Sequence, residues 1–289
     1  MKSKLAILFA SLFIISMSSC KHKEKPSDMN ILYLHHSTGG VIWKGAKNSL
    51  FTKVSWRISK KLTKKIGTKD RLPLFFEKFN KEHNKNYHII DMEFPKREPY
   101  GWNNYPYDYY NIWVKNSGAE SYMEEPTLEI LTKKYQVIIF KHCYPVSKIE
   151  EDQDSADINS DIRTIANYKL QYEALKEKMH EFPDTKFILF TGAVQVKSNL
   201  SEEEALRTND FFNWVKNEWD IPLDNIYLWD LYSLQTEGGL YFKDQYAKSE
   251  SDSHPNWEFA GKVVNLLFNR IIDVIENNGN GTLLTGEKK

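Results

Sequence analysis

Two short segments of the 289-residue chain hold residue types that can do acyl chemistry. His35-His36-Ser37-Thr38-Gly39-Gly40 puts a serine hydroxyl on a glycine-rich turn, free to reach a cleft. Ser251-Asp252-Ser253-His254-Pro255-Asn256 puts an imidazole two residues after a carboxylate. A serine hydroxyl is not ionised at neutral pH, so it becomes a nucleophile only when a base takes its proton. His254 is a base of the right type, and Asp252 is close enough to orient its ring. Each segment also has a plain structural use, Ser37 as a helix N-cap and the Asp or Asn as a cap in a surface loop.

Two further segments carry candidates. Lys141-His142-Cys143-Tyr144-Pro145 offers an imidazole and a thiol. Cys143 as a nucleophile served by His142 competes with Ser37, although adjacent side chains rarely point at each other. Residues 98–113 hold five Tyr and two Trp with no helical or alternating period. Rings interleaved with Asn and Asp suit stacking on sugars, with Trp102, Asn103 and Tyr105 as the candidate contacts; equally, the rings can form a secondary core under a long loop. His35, His36, Asp252 and His254 can be read as a metal cluster, but no His-x-x-x-His helix supports one, and we assign no metal. No phosphate-binding glycine pattern occurs, so no nucleotide cofactor is expected.

The elements that must position these groups alternate along the chain. Apolar runs at Ile31–Leu34, Tyr87–Phe94, Val137–Phe140, Phe187–Phe190 and Ile226–Trp229 read as strands. Helical patterns fall at 72–82, with Pro73 in the first turn, at 161–181, at Ser201–Trp219 and at Trp257–Ile275. Ser201 followed by Glu204 is a capping-box pattern, and Val263, Val264, Leu267, Ile271 and Val274 share one face of the last helix. Apolar strands separated by helices predict a five-stranded, mainly parallel sheet covered on both faces, a doubly wound α/β domain. Ligands in such sheets bind at the carboxyl ends of the strands, where Ser37 and Cys143 fall.

Composition narrows the partners. Equal numbers of basic and acidic side chains, 39 each, argue against nucleic acid, which wants a basic surface. Lys2 and Lys4 followed by the apolar run Leu5–Met17 form a secretory signal, too short at 1.5 Å per residue to cross a hydrocarbon core of about 30 Å. Met17-Ser18-Ser19-Cys20 resembles the lipobox of bacterial lipoproteins, which implies removal of residues 1–19, lipid on Cys20 and a polar tether over 20–28. The mature chain then has 37 basic and 39 acidic side chains and one remaining thiol, Cys143, so no internal disulfide is available. Residues 53–69 read as a lysine-rich solvated helix face and 279–289 as a loose tail.

Ser37 after the first strand and Asp252-x-His254-Pro255-Asn256 before the last helix make the chain resemble the SGNH/GDSL hydrolase superfamily over residues 29–278. The resemblance implies a flavodoxin-like three-layer α/β/α sandwich. It further implies a serine esterase removing acyl groups, acetyl above all, from carbohydrate with no cofactor. Ser37 would be the nucleophile, His254 the base and Asp252 its orienting acid, with Gly101 and Cys143 at the oxyanion positions and His142 near the substrate. The chain departs from the family pattern in three places. His35-His36 stands for its Gly-Asp, Cys143 for its Asn, and Asp252 precedes the histidine by two residues where the family has three. Asp230, at the end of the fifth strand, is therefore a second candidate acid. The expected setting is the bacterial cell envelope, with the membrane reached through the lipid. The alternative function is a catalytically weakened, glycan-binding lipoprotein on the same fold.

Overall fold

The computed structural model describes residues 28–45, 70–96, 98–100 and 103–289. The signal segment, Cys20, residues 53–69, Gly101 and Trp102 lie outside the described residues. Strand β1 (Asp28–His35) leads through a single residue into helix α1 (Ser37–Lys44), so Asp28 belongs to the sheet and not to the tether. Helix α2 (Arg71–His83) and β2 (Asn86–Glu93) follow. Helix α3 (Pro106–Tyr109) runs on as a π-helical turn over Tyr110–Lys115, and α4 (Leu128–Leu131) precedes β3 (Val137–Phe140). Next come α5 (Ile165–His180), β4 (Lys186–Phe190), α6 (Glu202–Trp214) and β5 (Ile226–Trp229). The chain closes with α7 (Leu231–Thr236), the strands β6 (Ala247–Ser249) and β7 (Asp252–Pro255), and α8 (Trp257–Asn277).

The sheet is wholly parallel with the order β2-β1-β3-β4-β5, the flavodoxin-like order of a doubly wound α/β fold. Every residue of β3 is buried, as a central strand covered on both faces must be. Helices α1, α2 and α8 pack together on one face. On the other, α5 meets α3 and its π-helical extension, and Tyr168 and Tyr172 of α5 pack on Phe211 of α6. The five apolar positions predicted for one face of the last helix are all fully buried. At about 25 cal/mol per Å² of apolar surface, each contributes roughly 1.5–3 kcal/mol to closing this face.

Three expectations about local structure need correction. Helix α5 begins four residues later than its apolar pattern, because Thr164 bridges to Glu150 as an extended residue and caps the helix by accepting from Asn167 N–H. Residues 98–113 are not a long loop, since α3 and the π-helical turn occupy their second half. The segment 279–289 is tied down. Asp273 accepts from Gly281 N–H and from both donors of Thr282, Leu284 O accepts from Asp230 N–H, and Thr285 O accepts from the Trp229 indole. Polar composition predicts a loose tail, but the Asp273 carboxylate needs donors and the Asp230 N–H and Trp229 indole need acceptors, and this segment supplies both.

Candidate active site

Ser37 stands two residues after the end of β1, at the carboxyl edge of the sheet, as the first residue of α1. The cap is His36, in extended conformation with no side-chain cap bond, so Ser37 is not the N-cap residue. The first intrahelical acceptor is His36 O, which takes Gly40 N–H at 3.0 Å. The N–H groups of residues 37–39 therefore sit at the open, positive end of the helix, where a developing oxyanion is stabilised.

The two glycines make this tight passage possible. A Cβ on Gly39 would stand 2.4 Å from His35 Cβ and 3.0 Å from Lys141 Cδ, and one on Gly40 would stand 3.2 Å from the His35 ring. Only a residue without a side chain lets the first turn of α1 lie this close over the ends of β1 and β3. The neighbouring imidazoles are both tied. His35 Nε2 pairs with Asp91 Oδ2 at 3.1 Å, which holds the Asp91 carboxyl below its usual range. His36 donates from Nε2 to Pro95 O, and burial pushes its pKa down.

His254 lies on β7, in a two-stranded antiparallel hairpin with β6 rather than in a plain loop. Successive strand residues face opposite sides, so Asp252 and His254 share one side and Ser253 takes the other. Ser253 Oγ accepts from Val196 N–H at 3.1 Å and from Asn199 Nδ2 at 3.0 Å, which anchors β7 from behind. In front, His254 Nδ1 is 2.6 Å from Asp252 Oδ1, and the His254 N–H donates to the same oxygen at 3.1 Å. A two-residue spacing on a strand thus places the carboxylate beside the ring. Lys248 Nζ meets Asp252 Oδ2 at 2.9 Å, and this pairing, with His254 behind it, holds the Asp252 carboxyl far below the ordinary carboxylate range. Asn256 caps α8 by accepting from Phe259 N–H at 2.9 Å, so the residues after His254 are rigid as well.

Asp230 is committed elsewhere. It caps α7, and its two oxygens accept from Thr191 Oγ1, Ser233 N–H, Ser233 Oγ and Lys216 Nζ. A carboxylate saturated in this way has no lone pair for His254. The structure therefore brings Asp252 to the histidine and leaves Asp230 as a structural cap.

Helix α1, which begins at Ser37, packs against β7, which carries His254. Tyr144 links the two sides. Its hydroxyl accepts from Thr38 Oγ1 at 2.8 Å, and its ring meets the His254 ring edge-on with centroids 5.4 Å apart. Among the described residues the hydrogen bonds of His254 are those with Asp252, and none joins it to Ser37. Nucleophile–base contacts in unliganded sites are commonly longer than in the complex and tighten when substrate binds. Sequence reasoning missed Tyr144 because nothing in Tyr-Pro signals a ring placed on a histidine 110 positions away.

The other candidates fall differently. His142 is fully buried among Tyr109, Phe140 and Tyr172. Burial lowers its pKa to about 3 and it cannot meet substrate. Cys143 spends its N–H on Asn104 O at 2.7 Å and its Sγ on Lys141 Nζ at 3.3 Å, so neither group is left for an oxyanion. Tyr105 is buried, donating to Asp161 O, whereas Asn103 is exposed. Five of the seven rings of the aromatic segment, Tyr100, Tyr105, Tyr109, Tyr110 and Trp113, are buried: most of this cluster is secondary core and not a sugar platform. Among the described residues no three His, Cys, Asp or Glu side chains converge on a metal position. A cavity of about 730 Å³ lined by His180, Asp220, Asp224 and Arg270 lies at the amino ends of β4 and β5, away from the edge that carries Ser37.

No family profile and no curated protein matches the chain. One similar solved structure is described by the words "The active site of a carbohydrate esterase displays divergent catalytic and non-catalytic binding functions". It shares 14% identity at a TM-score of 0.37, over 86% of this chain and 66% of that one. The chain thus spans 66% of the length of the structure it matches.

Proposed function

We propose that the protein is a serine esterase of the SGNH type that removes acyl groups, acetyl above all, from carbohydrate. The observation that carries the reading is the Asp252–His254 pair on β7, set against the helix whose amino end bears Ser37. Ser37 Oγ attacks the ester carbonyl while His254 Nε2 takes its proton. The tetrahedral oxyanion meets the N–H groups at the start of α1. His254 then delivers the proton to the leaving alkoxide, and water repeats the sequence on the acyl-enzyme. Asp252 fixes the ring with Nδ1 protonated and balances the imidazolium charge. The carbohydrate part of the reading rests on the family resemblance and on the exposed Asn103. Lipid on Cys20, several acyl chains at about 0.8 kcal/mol per buried CH₂, would hold the enzyme at the envelope membrane.

Hydrolysis of an aryl acetate by the purified protein tests this. Ser37→Ala should remove activity above background, and an alanine variant as fast as wild type ends the assignment. The engagement of both Cys143 groups favours a second reading, a glycan-binding protein with a weakened site. A fluorophosphonate separates them: covalent labelling at Ser37 supports the esterase, and glycan binding without labelling supports the binding protein.

A further inference from the structure

Lys141 and Cys143 form a buried pair at the carboxyl end of β3 for which the esterase mechanism has no use. Lys141 is fully buried, and among the described residues no carboxylate lies within ion-pair distance of its amine. The partner of its Nζ is Cys143 Sγ, 3.3 Å away. A buried amine normally requires an acidic partner. Here the Cys143 sulfur fills that place. The contact is rigid from both ends. The Lys141 stem runs beneath the first turn of α1, 3.0 Å from where a Cβ on Gly39 would stand, and Cys143 is pinned through its N–H to Asn104 O. Cys143 is buried, 7% exposed, and immediately precedes the turn over Tyr144–Ser147.

We propose that Lys141 and Cys143 are a redox modification site at which a peroxide installs a reversible nitrogen–sulfur bond between the two side chains. The sulfur attacks the O–O bond of hydrogen peroxide, and the thiol proton leaves with the departing hydroxide as water. Sulfur is oxidised by two electrons to a sulfenic acid, and peroxide is reduced. The neutral amine then directs its lone pair at the same sulfur. The N–S bond forms, the S–O bond breaks, and hydroxide leaves with one amine proton as a second water. The product is a sulfenamide, and the pair has lost two hydrogens for one peroxide consumed. Sulfenic acids condense with nearby nitrogen in this way, and a thiol reopens the link. A nucleophile already at contact distance acts with an effective concentration far above that of any solute, so capture outruns further oxidation to the sulfinic acid. The proposal rests on the pair itself and not on the esterase reading.

The experiment treats the folded full-length protein with hydrogen peroxide, then denatures it, alkylates it and digests it with trypsin under non-reducing conditions. The expected result is an uncleaved peptide covering residues 135–148, lighter by two hydrogens than its reduced form and carrying no alkyl group on Cys143. Cleavage after Lys141 and alkylation of Cys143 should both return on dithiothreitol treatment. Lys141→Met should abolish the product. Should that variant fail to fold, Cys143→Ser serves instead, and trypsin must then cut after Lys141 with and without peroxide. Recovery of Cys143 as an alkylated thiol or a sulfinic acid, with Lys141 still cleaved, overturns the proposal. So does a peptide left uncut in Cys143→Ser. Because the readout is a peptide mass, an inactive protein that forms the link would refute the esterase alone.

Discussion

Replacing Asp252 by asparagine isolates the charge of the acid from its shape. In the native pair Asp252 Oδ1 faces the His254 ring and N–H, and Oδ2 faces Lys248. Asparagine has a single acceptor oxygen. Lys248 is 69% exposed and can turn to water, so that oxygen should stay with His254 and keep the ring and its tautomer in place. What is lost is the negative charge opposite the imidazolium formed in the transition state. With about a third of each side chain open to solvent, screening is substantial. An effective dielectric of roughly 40 and a charge separation of about 3 Å give roughly 3 kcal/mol. That amounts to a fall of about 100-fold in kcat/KM on an aryl acetate. Asp252→Ala, which also frees the ring to rotate, should fall about tenfold further, because one charge-assisted hydrogen bond of roughly 1.5 kcal/mol goes as well. Asp230→Asn is the control and should lower thermal stability with little effect on kcat. An Asp252→Asn enzyme within threefold of wild type, or a larger loss of kcat in Asp230→Asn, would refute the reasoning.

Tyr144→Phe keeps the ring on His254 and removes the acceptor of Thr38 Oγ1, so kcat/KM should drop about fivefold, the equivalent of one neutral hydrogen bond. Tyr144→Ala should cost clearly more, and equal losses in the two variants would dismiss the ring as a positioning group. Burial raises the Asp108 carboxyl to about 8 from its ordinary 3.8. Between those values the folded protein keeps a proton that the unfolded chain has released. Stability is therefore fullest below about pH 4 and declines toward pH 8, by at most about 1.4 kcal/mol per pH unit. Asp108→Asn should flatten that decline in melting scans at pH 5 and pH 8; an unchanged slope would clear Asp108 of the effect. Gly39→Ala pushes a methyl group to 2.4 Å from His35 Cβ. It should destabilise by about 1–3 kcal/mol and slow fluorophosphonate labelling of Ser37, and a wild-type melting temperature would show that α1 moves freely.

By itself the sequence determined the framework. The sequence pattern places the five strands within three residues at each end, most sharply the central β3 and β4, because a parallel strand buried on both faces must be apolar. The Ser201–Glu204 capping box and the apolar face of the last helix are equally local patterns, and both form as read. The placement of Ser37 after β1 and the Asp252–His254 spacing were also legible, since each depends on only a few adjacent residues. Tertiary structure alone decided which carboxylate meets the histidine. Asp252 and Asp230 look alike in sequence, but one faces the ring across a strand while the other is saturated by Thr191, Ser233 and Lys216. It likewise turned most of the aromatic segment inward, hid His142, tied down the C-terminal tail, set Tyr144 on His254 and joined Lys141 to Cys143. A strand or a cap is written by neighbours within a turn of chain, whereas a partner is chosen by chain closure, which brings together residues that no local spacing relates.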